Sequence, residues 1–547
     1  MEGKKNAAVR WLCALAVLAA FAVFALCAAA GLVMTCSIDP EVYWNETILY
    51  KIDNIAVNLA VLAAVTAAGV YLFGIRKVVP RERTVTAVSA VSLAATFALG
   101  VVWVALVKCV PEFDSHYVSR AAAMASRNDW TGFGGLAEAL TYARELVPTE
   151  TDYFVRFPFQ LGFVTILEGL QRLFGAENWV ALGCVNAACL TLGYAALLDC
   201  AKTLYADTRV RLVTALLPLL FLQGPLFCTF VYGNLFGFGF MMVAVALFLR
   251  WMKGARAAVL IPAALCAALA VLAKPNYWIF VVALGIVALL HCIRTKKFAG
   301  LAMVLVAVVL GTGGLRLCTA RYEQKAGTTF GAGTPQSAWL AMGMHGSYMA
   351  PGWYNGYTSH IFRDADYEPR KAKELIASDL GENLSKMKNP VYAAAFFGRK
   401  FLSQFEETSF ESVFVSKDAQ NGRPVPELVS WVYGRGEQGL LRYFDQVMQL
   451  VYVFAAWALW KLFRTMSKRP APGAEPQGPD APPAALLPVI LLGGFLYHML
   501  FEGKSQYILV YIPLLFPFAG AGFIAAADAL AQKREKRREG RSSRKAQ

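Results

Sequence analysis

Charge is scarce in this chain. Only 16% of its 547 residues are Asp, Glu, Lys or Arg, while 57% are hydrophobic; a soluble domain usually carries about 25% charged residues. That balance excludes a disordered chain, a coiled coil, a collagen-like repeat and an ordinary soluble enzyme. Histidine is scarcer still, with five in all, and neither HExxH nor any paired-His spacing occurs, which argues against a zinc enzyme. No Walker motif is present, so ATP-driven transport by this chain is disfavoured. The eleven cysteines form no CxxC pair and no Cys/His cluster. Most lie in apolar runs, where the thiol acts as a small hydrophobe. Cys36, Cys109 and Cys318 fall near segment ends, but nothing in their spacing selects a disulfide among them.

What the chain has instead is apolar runs of about 20 residues, the length that crosses a bilayer as a helix, and a mean hydropathy of +0.47. Twelve candidate spans read 11–33, 54–74, 85–108, 178–199, 210–229, 232–250, 257–273, 276–293, 299–317, 444–463, 485–502 and 507–527. The first is too long for a signal-peptide core and lacks a good cleavage site, so it reads as an anchor. Basic residues settle the expected orientation. The N-terminus (Lys4, Lys5, Arg10) is basic, as are the connections Arg76 to Arg83, Lys202 to Arg211, Arg250 to Arg256, Arg294 to Lys297 and Arg464 to Arg469. Twelve spans put all of these on one side, the cytoplasmic one by the positive-inside rule. The tail from Lys533 carries +6 of the net +15. Anionic headgroups account for it, and nucleic acid is not expected as a partner.

The division that follows is 1–84, two leading spans; 85–317, a core module with a first extracytoplasmic loop at 109–156; and 318–443, a large extracytoplasmic loop with helical stretches near 370–386 and 390–406. Then come a span at 444–463, a disordered Pro/Gly/Ala-rich linker at 464–484, two last spans within 485–530 and a basic tail at 531–547. Residues 157–174 are apolar but short and contain Gln160, Glu168, Gln171 and Arg172. They read as an interfacial or re-entrant helix. No strand pattern and no tandem repeat is legible. The expected fold class is therefore an all-α polytopic membrane protein of about 12 transmembrane helices with two large outer loops, both termini cytoplasmic.

Polar residues stranded at the outer ends of these runs are the candidates for chemistry. Asp114, in Pro111-Glu112-Phe113-Asp114-Ser115-His116, suits a general base for a hydroxyl, or caps a helix starting near Tyr117; Glu112 is a weaker candidate of the same kind. Arg156, ahead of Phe157-Pro158-Phe159-Gln160, offers a planar fork of donors for a phosphate, or snorkels to the headgroups. Lys274, in Ala273-Lys274-Pro275-Asn276, runs against the positive-inside bias and faces either a lipid-linked phosphate or the headgroups. In the short turn Phe501 to Tyr507, Glu502 and Lys504 pair with each other or bind a substrate headgroup. Trp353, Tyr354 and Asn355 suit stacking and hydrogen bonding to a sugar, or the packing of a loop subdomain. Asp364-Ala365-Asp366 is an isolated DxD, a weak signal for a divalent metal.

In their order along the chain these features resemble the GT-C fold glycosyltransferases, a family that includes the protein mannosyltransferases and the bacterial aminoarabinose transferases. Several stretches resemble uncharacterised bacterial members more closely: those around Asp114, Arg156 to Gly162, Lys274-Pro275, Pro351 to Tyr357 and Glu502 to Tyr507. The resemblance covers most of 85–527, and the leading helices 11–33 and 54–74 are not obviously part of the shared core. It implies a GT-C-like bundle and a sugar donor carried on a polyprenyl phosphate. It gives Asp114 the catalytic role, Arg156, Lys274 and Lys504 the donor phosphate, and leaves Glu112, His116, Trp353, Tyr354, Asn355, Glu502 and Tyr507 for the acceptor or sugar. Many relatives carry two adjacent acidic residues in the first loop; here Phe113 separates Glu112 from Asp114, which weighs against a paired-carboxylate or metal mechanism. No cofactor is expected. The expected partners are membrane lipids, the lipid-linked sugar and an extracytoplasmic glycan, lipid or protein acceptor. The rival expectation is a transporter or flippase of lipid-linked sugars; large outer loops favour a transferase over it. A polysaccharide polymerase or ligase is a third reading, expected to lean on Arg/His chemistry.

Overall fold

The apolar runs fold as long helices. The computed structural model describes residues 2–41, 46–145, 152–419, 423–468 and 480–546. Among them eleven helical segments are long and apolar enough to cross a membrane: Lys5–Val33, Ile55–Ile75, Glu82–Val107, Trp179–Leu204, Thr208–Thr229, Asn234–Met252, Pro275–Thr295, Ala299–Ala326, Glu437–Ser467, Ala481–Leu500 and Ile512–Glu539. Each overlaps an expected span. The remaining expectation, 257–273, is the shorter apolar helix Ala257–Ala273. The chain is a multi-pass helical membrane protein.

Small residues let the bundle close. Helix Trp179–Leu204 packs along Asn234–Met252, and Glu2–Val33 lies along both Glu437–Ser467 and Ala481–Leu500. At the first of these contacts a Cβ on Gly239 would lie 2.5 Å from the Cys189 carbonyl oxygen. Backbone approach of this kind is how membrane helices gain packing when lipid is as apolar as leucine. The leading helix is thus an integral part of the bundle.

The segment 157–174 forms a short 3-10 turn, Pro158–Gln160, and a helix, Leu161–Phe174. Fourteen residues rise only about 21 Å, too little to span. The Glu168 carboxylate ties this helix down, accepting from Arg321 at 2.7 Å, Tyr322 at 2.6 Å and Arg172 at 3.0 Å. The long segment before Glu437 carries helices Pro369–Lys386 and Pro390–Phe405, close to the expected pair. Much of the expected linker, 469–479, lies outside the described residues, but its flanks are helical: one helix runs on to Ser467 and the next begins at Ala481. The basic tail continues the last helix, Phe516–Ala546. All eleven cysteines are free thiols.

One element departs from the reading without strands. β1 (Met34–Ile38) and β2 (Ile48–Ile52) pair antiparallel, Cys36 opposite Tyr50. Two five-residue strands between long apolar helices are too short for an alternation to register, and no Asn-Gly or Asp-Gly turn marks them. Their edges are held from outside: Cys36 N–H donates to the Glu406 carbonyl at 2.9 Å and Ile48 N–H to Met349 at 3.0 Å.

Candidate functional site

The helix Glu82–Val107 ends at Lys108, and the chain turns into the next helix, Phe113–Ser126, through Phe113 at φ +54°. Such a φ is uncommon for a bulky side chain and is held only where surroundings enforce it. Phe113 stacks on Phe414 at 5.9 Å, and Ser115 Oγ donates to the Val231 carbonyl at 2.6 Å. Glu112, not Asp114, occupies the cap position, so the helix does not begin at Tyr117 and Asp114 is not its cap. Instead its carboxylate accepts from Tyr153 Oη at 3.1 Å and Tyr232 Oη at 3.4 Å. Burial pushes both phenols well above their ordinary range, and the Asp114 charge adds to it; they keep the protons they donate. A carboxylate offers about four lone-pair sites, and Asp114 remains exposed with the others open to a cavity.

Lys274 stands where Pro275 interrupts the apolar run, between the helix Leu260–Ala273 and the 3-10 turn Pro275–Tyr277. Only 9% of it is exposed. Its Nζ donates to Asn234 Oδ1 at 2.5 Å and lies 4.3 Å from the centre of the Tyr232 ring and 5.1 Å from that of Tyr507. Burial pulls its pKa down to about 7 against the opposing pull of Asp114 and Glu502. Gly233 makes this approach possible: a Cβ there would fall 2.1 Å from the Ala273 carbonyl oxygen. Tyr232 therefore touches Asp114 with its hydroxyl and Lys274 with its face.

Arg156 ends the short helix Tyr153–Arg156. It donates to Ser359 Oγ at 2.5 Å, pairs with Asp152 at 3.0 Å and lies 4.9 Å from the centre of the Phe157 ring, while its buried Nε has no hydrogen-bond partner. Asp152 also accepts from Arg363 at 2.7 Å and from Tyr367 at 2.8 Å. Burial works against the Asp152 charge, but these donors and the Arg156 charge hold its carboxyl below the usual range.

Asp114, Arg156 and Lys274 line one cavity of about 350 Å³, together with Tyr354, Glu502 and Tyr507. Glu502 is 9% exposed and accepts from Tyr507 Oη at 3.2 Å. Burial pushes its carboxyl up to about 7, Lys504 pulling the other way. The other sequence candidates stand elsewhere. Lys504 does not line the cavity; it is buried against Glu46 and, at 3.4 Å, Glu411. Trp353 is fully buried and donates to Ser403 Oγ at 2.9 Å. Asn355 braces its own loop, donating to the Gly346 carbonyl at 3.1 Å and accepting from Tyr357 N–H at 3.1 Å. His116 meets the Tyr117 ring edge-on at 5.7 Å and, like Glu112, is not a wall residue. Asp366 of the DxD pairs with Lys371 at 2.6 Å. Among the described residues no group of three or more His, Cys, Asp or Glu is placed to hold a metal ion.

Sequence reasoning missed Tyr153, Tyr232, Trp339 and Ser359. Only Tyr153 left a trace, three positions before Arg156 and so on the same helix face. The assembled site can take a proton on Asp114, stabilise an anion at Lys274 and Arg156, and lay an apolar ring face against Trp339 and Tyr354.

No family model and no curated protein matches the chain. Three solved structures similar to it are distant. ArnT from Cupriavidus metallidurans, bound to undecaprenyl phosphate, is 12% identical with a TM-score of 0.32, covering 80% of this chain and 77% of that one. The archaeal oligosaccharyltransferase AglB from Archaeoglobus fulgidus, in complex with an inhibitory peptide and a dolichol-phosphate, is 13% identical with a TM-score of 0.31, covering 79% and 51%. The apo form of the Archaeoglobus fulgidus oligosaccharyltransferase is 14% identical with a TM-score of 0.31, covering 78% and 51%. The chain thus spans about half the length of the archaeal enzyme. No functional weight rests on likenesses this distant.

Proposed function

We propose that this chain is an integral-membrane glycosyltransferase that moves a sugar from a polyprenyl-phosphate carrier to a hydroxyl of an extracytoplasmic glycan, lipid or protein. The observation that carries the reading is that one cavity receives Asp114, Lys274 and Arg156 together. The acceptor oxygen attacks the anomeric carbon, and its proton passes to Asp114. The bond from that carbon to the phosphate oxygen breaks, and its electron pair leaves with the lipid phosphate. Lys274 and Arg156 stabilise the charge that develops there; preorganised cations in a half-closed site are typically a large part of such catalysis. The donor is already activated, so the reaction needs no ATP outside the cell. Positive-inside bias in the short connections supports cytoplasmic termini and an extracytoplasmic cavity.

The test is Asp114→Asn. Loss of a general base costs about 10²- to 10⁴-fold, so transfer from a polyprenyl-phosphate sugar should fall by that much with normal membrane insertion. Wild-type transfer by Asp114→Asn removes the base from this scheme. A chain that moves lipid-linked sugar across the bilayer without transferring it supports the flippase alternative instead.

A further inference from the structure

The turn between the last two spans is fastened almost residue by residue, and to widely separated parts of the chain. Lys400 Nζ, in helix Pro390–Phe405, donates to the Phe501 carbonyl at 2.7 Å and to the Gly343 carbonyl at 2.7 Å. Glu502 N–H donates to the Trp339 carbonyl at 3.1 Å and Gly503 N–H to the Gly352 carbonyl at 2.9 Å. Ser505 Oγ donates to Glu407 at 2.7 Å. Lys504, 6% exposed, pairs with Glu411 and with Glu46, itself 4% exposed. Glu46 lies in the connection between β1 and β2, which the first two helices carry. β1 is in turn bonded at Cys36 to the Glu406 carbonyl, next to the Glu407 that holds Ser505.

Only Glu502 and Tyr507 of this turn face the cavity. Apart from Trp339, the residues just named as holding the turn stand outside the cavity wall. A buried ion pair is weak evidence for stability, because desolvation offsets its attraction; fixing one arrangement is its better-attested use. We propose that Lys504 is a positioning residue and that the β1–β2 hairpin, through Glu46, is its strap. Glu46 and Glu411 hold Lys504, and Lys504 holds the turn so that Glu502 and Tyr507 line the cavity with Lys274. The two leading helices, outside the part of the sequence that resembles known transferases, then have a task at the site: they carry the strap. The consequence for donor handling rests on the function proposed above, whereas the effect on the turn does not.

The full chain in lipid nanodiscs, as wild type, Glu46→Gln, Lys504→Met and Lys504→Arg, tests this with two readouts. These are hydrogen exchange across 500–510 and the affinity for undecaprenyl phosphate. Glu46→Gln should speed exchange in the turn by about tenfold while leaving the helix Trp179–Leu204 unchanged, the behaviour of one locally loosened unit. It should weaken undecaprenyl phosphate by a factor of about three to ten, a loss of about 1 kcal/mol. Lys504→Met should move both readouts further in the same direction, and Lys504→Arg should restore them in part. If Lys504→Met does not insert, Glu46→Gln decides alone. Wild-type exchange and affinity in Glu46→Gln overturn the strap. So does tighter binding, which means a freed Lys504 reaches the phosphate directly. Loosened exchange together with unimpaired transfer by Asp114→Asn leaves the strap standing and sinks the proposed base.

Discussion

Tyr507 meets both Lys274, whose Nζ lies 5.1 Å from its ring centre, and Glu502, which accepts from its hydroxyl at 3.2 Å, and burial draws the pKa of Lys274 and of Glu502 to about 7. Each group's charge acts on the other, so the midpoint belongs to the pair. As pH rises through it, Lys274 loses its positive charge and Glu502 gains a negative one, and both changes disfavour an incoming phosphate. We therefore expect kcat/KM for a polyprenyl-phosphate donor to fall above about pH 7. Lys274→Arg keeps its charge and should push that limb upward; an unmoved limb in both Lys274→Arg and Glu502→Gln would assign the titration elsewhere. Asp152 is a second lever, since it orients Arg156 through a nearly fully buried pair. Asp152→Asn should lower stability by about 3 kcal/mol, the scale of a broken buried pair. It should cut transfer by about tenfold, read by thermal unfolding and by rate. At this scale the sequence marks the polar residues stranded at helix ends but not the direction they point. Lys274 and Lys504 look alike in the sequence; one faces the cavity, while the other turns to a glutamate more than 450 positions away. Tyr153 and Tyr232 are harder to find, because a tyrosine at a membrane surface is commonplace.

At the scale of elements, Gly233 decides how closely the start of helix Asn234–Met252 meets the end of Leu260–Ala273. Gly233→Ala forces a Cβ against the Ala273 carbonyl oxygen and should cost about 1–3 kcal/mol, as overpacking does. It should also separate Asn234 from Lys274, so transfer should drop by more than the melting point suggests; equal, small losses in both would deny the glycine this role. The helices themselves are legible because a 20-residue apolar run has few other ways to satisfy its backbone in lipid. Helix Leu161–Phe174 is legible as too short, and Pro369–Lys386 and Pro390–Phe405 by their leading prolines. The hairpin β1–β2 is not legible: its edges are held by the carbonyls of Met349 and Glu406, which no local pattern announces.

At the scale of the whole molecule, basic connections meet one another: Arg10 donates to the Thr465 carbonyl, Arg211 to Glu82, Arg209 to Asp528 and Arg294 to Asp480, and the proposed orientation puts them on the cytoplasmic side, away from the cavity. A cysteine at Glu138, near the cavity end, should react with an impermeant reagent in intact cells, and one at Lys253 only after permeabilisation; the reverse labelling would overturn the orientation. The native thiols give little background, since most are buried. Of the twelve expected spans, eleven are long enough to cross and 257–273 is a shorter apolar helix; their order follows from hydropathy alone. The convergence of Asp114, Arg156, Lys274 and Glu502 does not, because it depends on how the helices pack side by side rather than on their succession. That convergence also has a consequence in time. The cavity draws on residues from 114 to 507, so a chain still leaving the ribosome has no working pocket until its final pair of helices has entered the bilayer. Half-made copies therefore lack the site, and the transfer proposed above can begin only once assembly is finished.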